Sequence, residues 1–264
     1  HLGVRRQRQM CIRDSISVFH KEGLAPIVEQ LKAAGVEILS TGGTQRAIEA
    51  LGAEVTSVES VTQTAEMLGG RVKTLHPMVF GGILARRDFE ADDVDVAEHG
   101  IGQIDLVIVD LYPFEETLAS GADEGEIIEK IDIGGIALIR AAAKNFKDVV
   151  CIPSRGQYAD LVDALSDGMN TDLDFRRRMA GAAFGVSSGY DAAIGKWVRE
   201  GGQPEVLSLL ETVCNPLRYG ENPHQEGAYY GDLEGLFTQH NGKALSYNNL
   251  LDVDAAVQLM AEFK

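Results

Sequence analysis

The stretch Ile104-Asp105-Leu106-Val107-Ile108-Val109-Asp110 constrains the fold more than any other part of the chain. Its apolar run does not alternate, so a strand here has no face to give to water. Such strands sit in parallel sheets with helices on both sides. The run passes into Leu111-Tyr112-Pro113-Phe114, and Pro113 takes the chain out of the sheet because it cannot donate to a central ladder. Upstream, Ser17-Val18-Phe19 reads as a strand. Leu24, Ile27, Val28 and Leu31 mark a helix over Gly23 to Ala34, and Val36 to Ser40 reads as a second strand. Thr41-Gly42-Gly43-Thr44 is a tight loop before a helix over Gln45 to Leu51. Strand, helix, strand, Gly-rich loop and helix in succession predict an α/β fold, a parallel sheet flanked by helices.

The remaining chain follows the same grammar with one interruption. Ala65 to Phe80 (AEMLGGRVKTLHPMVF) has no clean period, and Asp88 to His99 is an acidic surface segment. Helices are predicted over Glu124 to Ile131, Ile136 to Ala143, Tyr158 to Leu165 and Asp174 to Val198, with a strand at Asp148 to Ile152. Gly201-Gly202-Gln203-Pro204 marks a boundary. The first domain is expected over residues 16–205 and an incomplete second one over 206–264, because Ala255 to Phe263 carries no helix stop. Residues 1–15 hold Arg5, Arg6, Arg8 and Arg13 without an apolar core, and they read as a leader foreign to the fold.

Charge narrows the partners. Against 24 Lys and Arg stand 40 Asp and Glu, a net charge of −16. That balance argues against nucleic acid or a membrane surface as partner, since both demand an extended basic face. A small anion needs only local cations and backbone N–H groups. Cys11, Cys151 and Cys214 are sparse and unpatterned, which points to a reducing compartment and a cytoplasmic protein. The scattered histidines include no metal-ligand spacing, so no metal site is expected.

Four constellations could carry chemistry. Thr41 to Thr44 between strand and helix offers free N–H groups, a positive helix end and two hydroxyls, which suits a phosphate; a Thr-capped βα turn is the plain alternative. Gly70-Arg71-Val72-Lys73-Thr74-Leu75-His76-Pro77 gathers Arg71, Lys73 and His76 in an irregular loop, the sort of segment where sites concentrate, although a solvated loop has the same composition. Tyr112 stands past the carboxyl end of the most apolar strand, where open α/β sheets bind ligands. Asp132-Ile133-Gly134-Gly135 opens a helix that ends at Lys144. Lys144 follows a run of alanines, and apolar surroundings lower a lysine's pKa toward useful range. Along one straight helix, however, the rise of ~1.5 Å per residue separates Asp132 and Lys144 by more than ~12 Å. Both reach one small substrate only if the helix is short or bent, or the ligand long.

Taken in order, TGGT, EMLGGRVKTLHP, LYPF, IDIGG, RAAAKN and PLRYGENPHQ resemble one family, the bifunctional AICAR transformylase/IMP cyclohydrolases of purine biosynthesis. The resemblance runs from Ile16 to the end. It implies a methylglyoxal-synthase-like first domain that closes the purine ring, turning the formylated ribonucleotide FAICAR into inosine monophosphate without metal or cofactor. It implies a second domain that transfers formyl from 10-formyltetrahydrofolate, a co-substrate of the full-length protein only. That activity is expected to be absent from this chain. By motif, Lys144 resembles the proton donor/acceptor. Lys73 and Tyr112 would stabilise the developing oxyanion, and Asp132 would orient the carboxamide. Ser17, Lys21, Thr41, Gly42, Gly43 and Thr44 would hold phosphate and ribose. Arg71, Val72, Thr74, Ile133 and Gly134 would line the base, and Asp110 would sit by the ligand. In the second domain Arg218, Tyr219, His224 and Asn249 match substrate positions and would be idle here. The family forms homodimers.

Two positions depart from the family pattern. Phe19-His20 stands where small or acidic polar residues are more usual, and Asp110 where Asn is. Competing readings on the same fold are a non-catalytic module binding a phosphate effector, which needs only the TGGT loop, and methylglyoxal synthase, which has no reason to carry LRYGENPHQ. A truncated, aggregating chain without activity is a further reading.

Overall fold

The computed structural model describes residues 13–166, 168, 171–199 and 214–263. It divides into two units, His1–Gln203 and Pro204–Lys264. The Gly201–Pro204 boundary and nearly all of the leader lie outside the described residues.

In the first unit, β1 (Arg13–Val18) leads to α1 (Ala25–Ala33), β2 (Glu37–Ser40), α2 (Gly42–Ala50), β3 (Val55–Ser57) and α3 (Val58–Thr62). After an irregular stretch come α4 (Pro77–Leu84), α5 (Glu90–His99), β4 (Leu106–Asp110), α6 (Phe114–Ala119) and α7 (Glu124–Ile128). Then follow α8 (Gly134–Lys144), β5 (Val150–Ile152), α9 (Tyr158–Ser166) and α10 (Leu173–Val198). The five strands form one sheet in the order β3-β2-β1-β4-β5. Every pairing in it is parallel.

The unbroken apolar run of β4 is explained by two cores. Leu106 and Ile108 pack with Leu24, which precedes α1, with Ile27 and Leu31 of α1, with Leu161 and Leu165 of α9, and with Phe175 of α10. Val107 and Val109 face Val79 and Ile83 of α4, Leu138 and Ile139 of α8, and Ala180 and Ala183 of α10. Alternate residues of a strand point to opposite faces, so each face needs its own helical layer.

The sequence expectations need four corrections. The strand begins at Arg13, within the segment read as leader. Arg13, Asp14 and Ser15 pair in register with Glu37, Ile38 and Leu39 of β2, and Arg13 also forms an ion pair with Glu37. Strand pairing sets this edge, and composition could not. α2 starts at Gly42 rather than Gln45, its first residue at φ +54°, a conformation that glycine tolerates. β3 and α3 were not foreseen, because three strand residues are too few for a pattern. The acidic segment is a helix, α5, with no buried residue, closed by Gly100 in the left-handed region.

The second unit has a two-stranded antiparallel sheet of β6 (Cys214–Pro216) and β7 (Ala228–Tyr230), followed by α11 (Leu233–Leu236) and α12 (Tyr247–Glu262). α12 opens with a Ser246–Asn249 capping box.

Close packing of α4 gives a direct test. A methyl at Gly82 would run into the carbonyl oxygen of Gly102, which is backbone and cannot rotate away. Gly82→Ala is expected to destabilise the unit by about 1–3 kcal/mol. Gly181→Ala in α10, where nothing lies within 4 Å, should be neutral or stabilising by up to about 1 kcal/mol. Urea unfolding of both variants checks the contrast. Thiol labelling offers a second check. Burial pushes the Cys151 thiol up to about 12, whereas Cys214 is exposed. Native chain is expected to label at Cys214 and to expose Cys151 only on unfolding.

Candidate functional site

In an open parallel sheet, a crevice forms outside the carboxyl ends where the strand order reverses. Here β1 and β4 are that pair, since the chain runs outward through β2 and β3 on one side and through β5 on the other. Val18 and Asp110 end the two strands in register.

The loop after β1 carries Lys21. Its Nζ donates to the carbonyls of Val18 and Phe19, the latter at 2.9 Å, and to Thr44 Oγ1 at 3.3 Å. Burial pulls this ammonium below the ordinary lysine range, against the opposing pull of Asp110 and Glu22. Thr44, placed among the phosphate ligands from sequence, is buried and spoken for. Its hydroxyl donates to Val18 O at 2.9 Å and accepts from Val18 N at 3.2 Å. It therefore ties α2 to β1 and positions Lys21. Thr41 donates to Glu59 Oε1 at 3.2 Å, and Ser17 is half-buried near the end of β1.

Lys73 reaches the same end of the sheet from the irregular segment. A Cβ on Gly42 would lie 3.9 Å from Lys73 Nζ, which puts the ammonium beside the start of α2. Gly43 follows it in the first turn of α2. Lys73 pairs with Glu66 at 2.6 Å and lies 3.9 Å from Glu59. It lines a cavity of about 220 Å³ together with Glu59, Glu66, Met67, Val72 and His76. Thr74 is buried, and its hydroxyl would sit 2.9 Å from a Cβ on Gly134. Arg71 is exposed and pairs with Glu129, and Ile133 is exposed.

Asp132 sits where α8 begins. Its Oδ1 accepts the Gly135 N–H at 2.6 Å, and the backbone N–H groups of Tyr112 and Gly134 also favour the charged form. Burial outweighs all three, and the carboxyl lies above the ordinary aspartate range. Tyr190 of α10 fixes this loop, accepting from Asp132 N at 2.9 Å and donating to Lys130 O. The Tyr112 phenol is raised, first by burial, then by Asp132, with Lys73 pulling the other way. Tyr112 thus feels both the half-buried Asp132 carboxylate and the Lys73 ammonium.

Lys144 is elsewhere. α8 is one unbroken 11-residue helix, and Lys144 is exposed at its far end, about 15 Å along the axis from Gly134. This chain holds Lys144 and Asp132 at opposite ends of α8, so one substrate reaches both only if it is long. Sequence reasoning also missed Lys130, whose Nζ lies 5.2 Å from the Phe19 ring centroid and 5.7 Å from that of Tyr112. A lone lysine in a loop gave no signal.

In the second unit, Arg218 and His224 line an open pocket of about 550 Å³. The Arg218 guanidinium lies over the Tyr219 ring, 4.8 Å from its centroid. Asn249 is engaged as the capping partner of Ser246.

Comparison with known proteins accords with this architecture. An MGS-like domain model matches residues 23–137, and the model described as AICARFT/IMPCHase bienzyme matches residues 142–264. Proteins named bifunctional purine biosynthesis protein PurH match along nearly the whole chain. That of Bacteroides thetaiotaomicron is 54% identical over 250 residues, covering 94% of this chain and 49% of the relative. That of Jannaschia sp. is 48% identical over 263 residues, covering 95% and 49%. The crystal structure of ForH superposes with a TM-score of 0.63 at 33% identity, covering 73% of this chain and 100% of that one.

The chain belongs to the PurH family of AICARFT/IMPCHase bienzymes. It spans about half the length of the curated relatives it matches. Its fold is α/β, an MGS-like domain with a five-stranded parallel sheet and part of an AICARFT domain. No helix among the described residues is long and apolar enough to cross a membrane.

The half-buried Asp132 carboxylate has a stability consequence. A carboxyl whose folded pKa is raised favours folding in acid, and that contribution is lost as pH rises through the folded pKa. At neutral pH the charged Asp132 therefore costs stability. Asp132→Asn, which keeps an oxygen for the Gly135 N–H, is expected to raise the melting temperature at pH 7. The gain should shrink as pH falls toward about 4. Melting curves across that range check the sign.

Proposed function

We propose that the first unit is an IMP cyclohydrolase, closing the ring of FAICAR with loss of water to give inosine monophosphate. The observation that carries this reading is the placement of Lys21, Lys73, Tyr112 and Asp132 around the carboxyl ends of β1, β2 and β4, at the sheet's switch point. Membership in a family whose curated relatives are named as bifunctional purine-biosynthesis proteins supports it.

The chemistry asks for little beyond positioning and charge. The carboxamide nitrogen attacks the formyl carbon and gives up a proton, and the formyl oxygen gains negative charge. That oxygen takes up this proton and the proton of the formamido nitrogen and leaves as water, and the ring C=N forms to that nitrogen. No electron transfer is involved, and the step as proposed draws on no metal or cofactor. Lys21 and the start of α2 hold the phosphate end. Lys73, sharing or leaving its Glu66 partner, and the Tyr112 hydroxyl donate to the oxygen as its charge develops. Asp132 accepts from the carboxamide N–H and orients it. Both reacting groups belong to one molecule, so holding them in a near-attack geometry supplies much of the acceleration.

The test is conversion of FAICAR by the 264-residue chain, followed as inosine monophosphate absorbance. Lys73→Ala and Tyr112→Phe are each expected to lower kcat by about 10²–10³-fold, the usual loss on removing one oxyanion donor. Lys144→Ala, remote along α8, should fall well short of that. Binding of IMP without turnover by a folded chain would sink the enzyme reading and leave a nucleotide-binding module.

A further inference from the structure

His20 and Asp110, 90 positions apart in the sequence, meet in the structure. His20 follows β1, Asp110 ends β4, and they face each other across the switch-point crevice. Asp110 Oδ2 accepts from the His20 backbone N–H at 2.8 Å and from His20 Nδ1 at 2.8 Å. The Asp110 carbonyl accepts from Phe19 N at 3.0 Å. Residues 18, 19 and 20 are thus all fixed against one residue of the neighbouring strand. Lys21 comes next, and its Nζ donates back to the carbonyls of Val18 and Phe19. The ammonium's place follows from where Asp110 holds the loop.

The surrounding charges leave the pair a defined role. Lys21 and Glu22 lie on the same loop, and Arg155 Nε, beyond β5, is 3.9 Å from Asp110 Oδ1. Arg155 also lies 3.9 Å from Glu22. The Tyr158 phenol, packed under Gly23, is raised by burial and by Asp110. Phe19 packs edge-on against both His20 and Tyr112, with centroids 4.9 and 5.7 Å apart, which joins the loop to the reacting end of the site.

We propose that His20 and Asp110 form a positioning pair that sets the Lys21 loop across the crevice. The pair thereby sets affinity for the phosphate end of the nucleotide, and it takes no part in bond making. The inference rests on the cyclohydrolase reading for its ligand, and the test separates the two.

The full chain is assayed for FAICAR turnover and, by calorimetry, for IMP binding. The variants are His20→Ala, Asp110→Ala, the double variant and Asp110→Asn. Hydrogen bonds to a charged group are worth enough that each alanine variant should raise KM and the IMP dissociation constant by about tenfold, with kcat within about twofold. The double variant should be no worse than Asp110→Ala, because that substitution already removes both bonds to His20, while His20→Ala keeps the backbone one. Asp110→Asn keeps an oxygen for both donors and should fall between wild type and Asp110→Ala. Loss confined to kcat, effects that multiply in the double variant, or unchanged affinity in His20→Ala would each overturn the pair. If wild type binds IMP without turnover, the catalytic reading fails while the dissociation constants still decide this one. If wild type does neither, both fall.

Discussion

The pairing of β1 with β4 is the contact on which the rest of the structure depends. These strands are neighbours in space but lie far apart in sequence, with two strands and five helices between them. Closing so long a loop is entropically expensive, and only extensive burial offsets it. β4 supplies that burial on both faces, Leu106 and Ile108 to one core and Val107 and Val109 to the other. Because the strands are parallel, their carboxyl ends fan out on one edge. Loops from widely separated parts of the chain must then converge there. Lys21, Gly42, Tyr112 and Arg155 follow four different strands, and all reach that edge.

Electrostatics at this edge runs against the whole. The chain carries −16, yet an anion is expected to bind. Long-range attraction cannot help, so the local cations decide. Each is held by oxygen atoms in this structure: Lys21 by two carbonyls and a hydroxyl, Lys73 by Glu66. An incoming phosphate or oxyanion must displace or share these partners. Affinity is then a difference between two similar sets of charge-assisted bonds, and small shifts of a loop change it by large factors. That is the physical reason for a rigid link between the Lys21 loop and β4.

Much of this was legible in the sequence, and the failures have causes. The β4 run and the periodic α1 face were readable because both obey simple burial geometry. The Gly-rich turn was readable because glycine marks close approach. The start of β1 was not, since Arg13, Asp14 and Ser15 have no strand composition and are held only by their partners on β2 and β4. The hydroxyl of Thr44, next to a helix start, suits either a ligand or the neighbouring strand, and in this structure it bonds to the strand. Lys144 shows the opposite case. Its motif suggested chemistry, while helix arithmetic already placed it at the far end of α8 from Asp132. His20 and Asp110 could be noticed singly in the sequence, but no spacing rule could pair residues 90 positions apart.

Asp132 shows how the site and the fold constrain each other. Three backbone N–H groups favour its charge, which would ordinarily hold an aspartate low, and burial still wins. Tyr190 and the α8 start hold the loop so that the carboxylate stays half-buried. A group kept dehydrated in this way interacts more strongly with a carboxamide N–H than a solvated one could. The same dehydration costs folding free energy at neutral pH. The apolar layers around α8, with Leu138, Ile139 and the alanines behind them, have to offset that cost. Precision at the first turn of α8 therefore depends on packing along the rest of the helix. The run of alanines before Lys144 serves that packing.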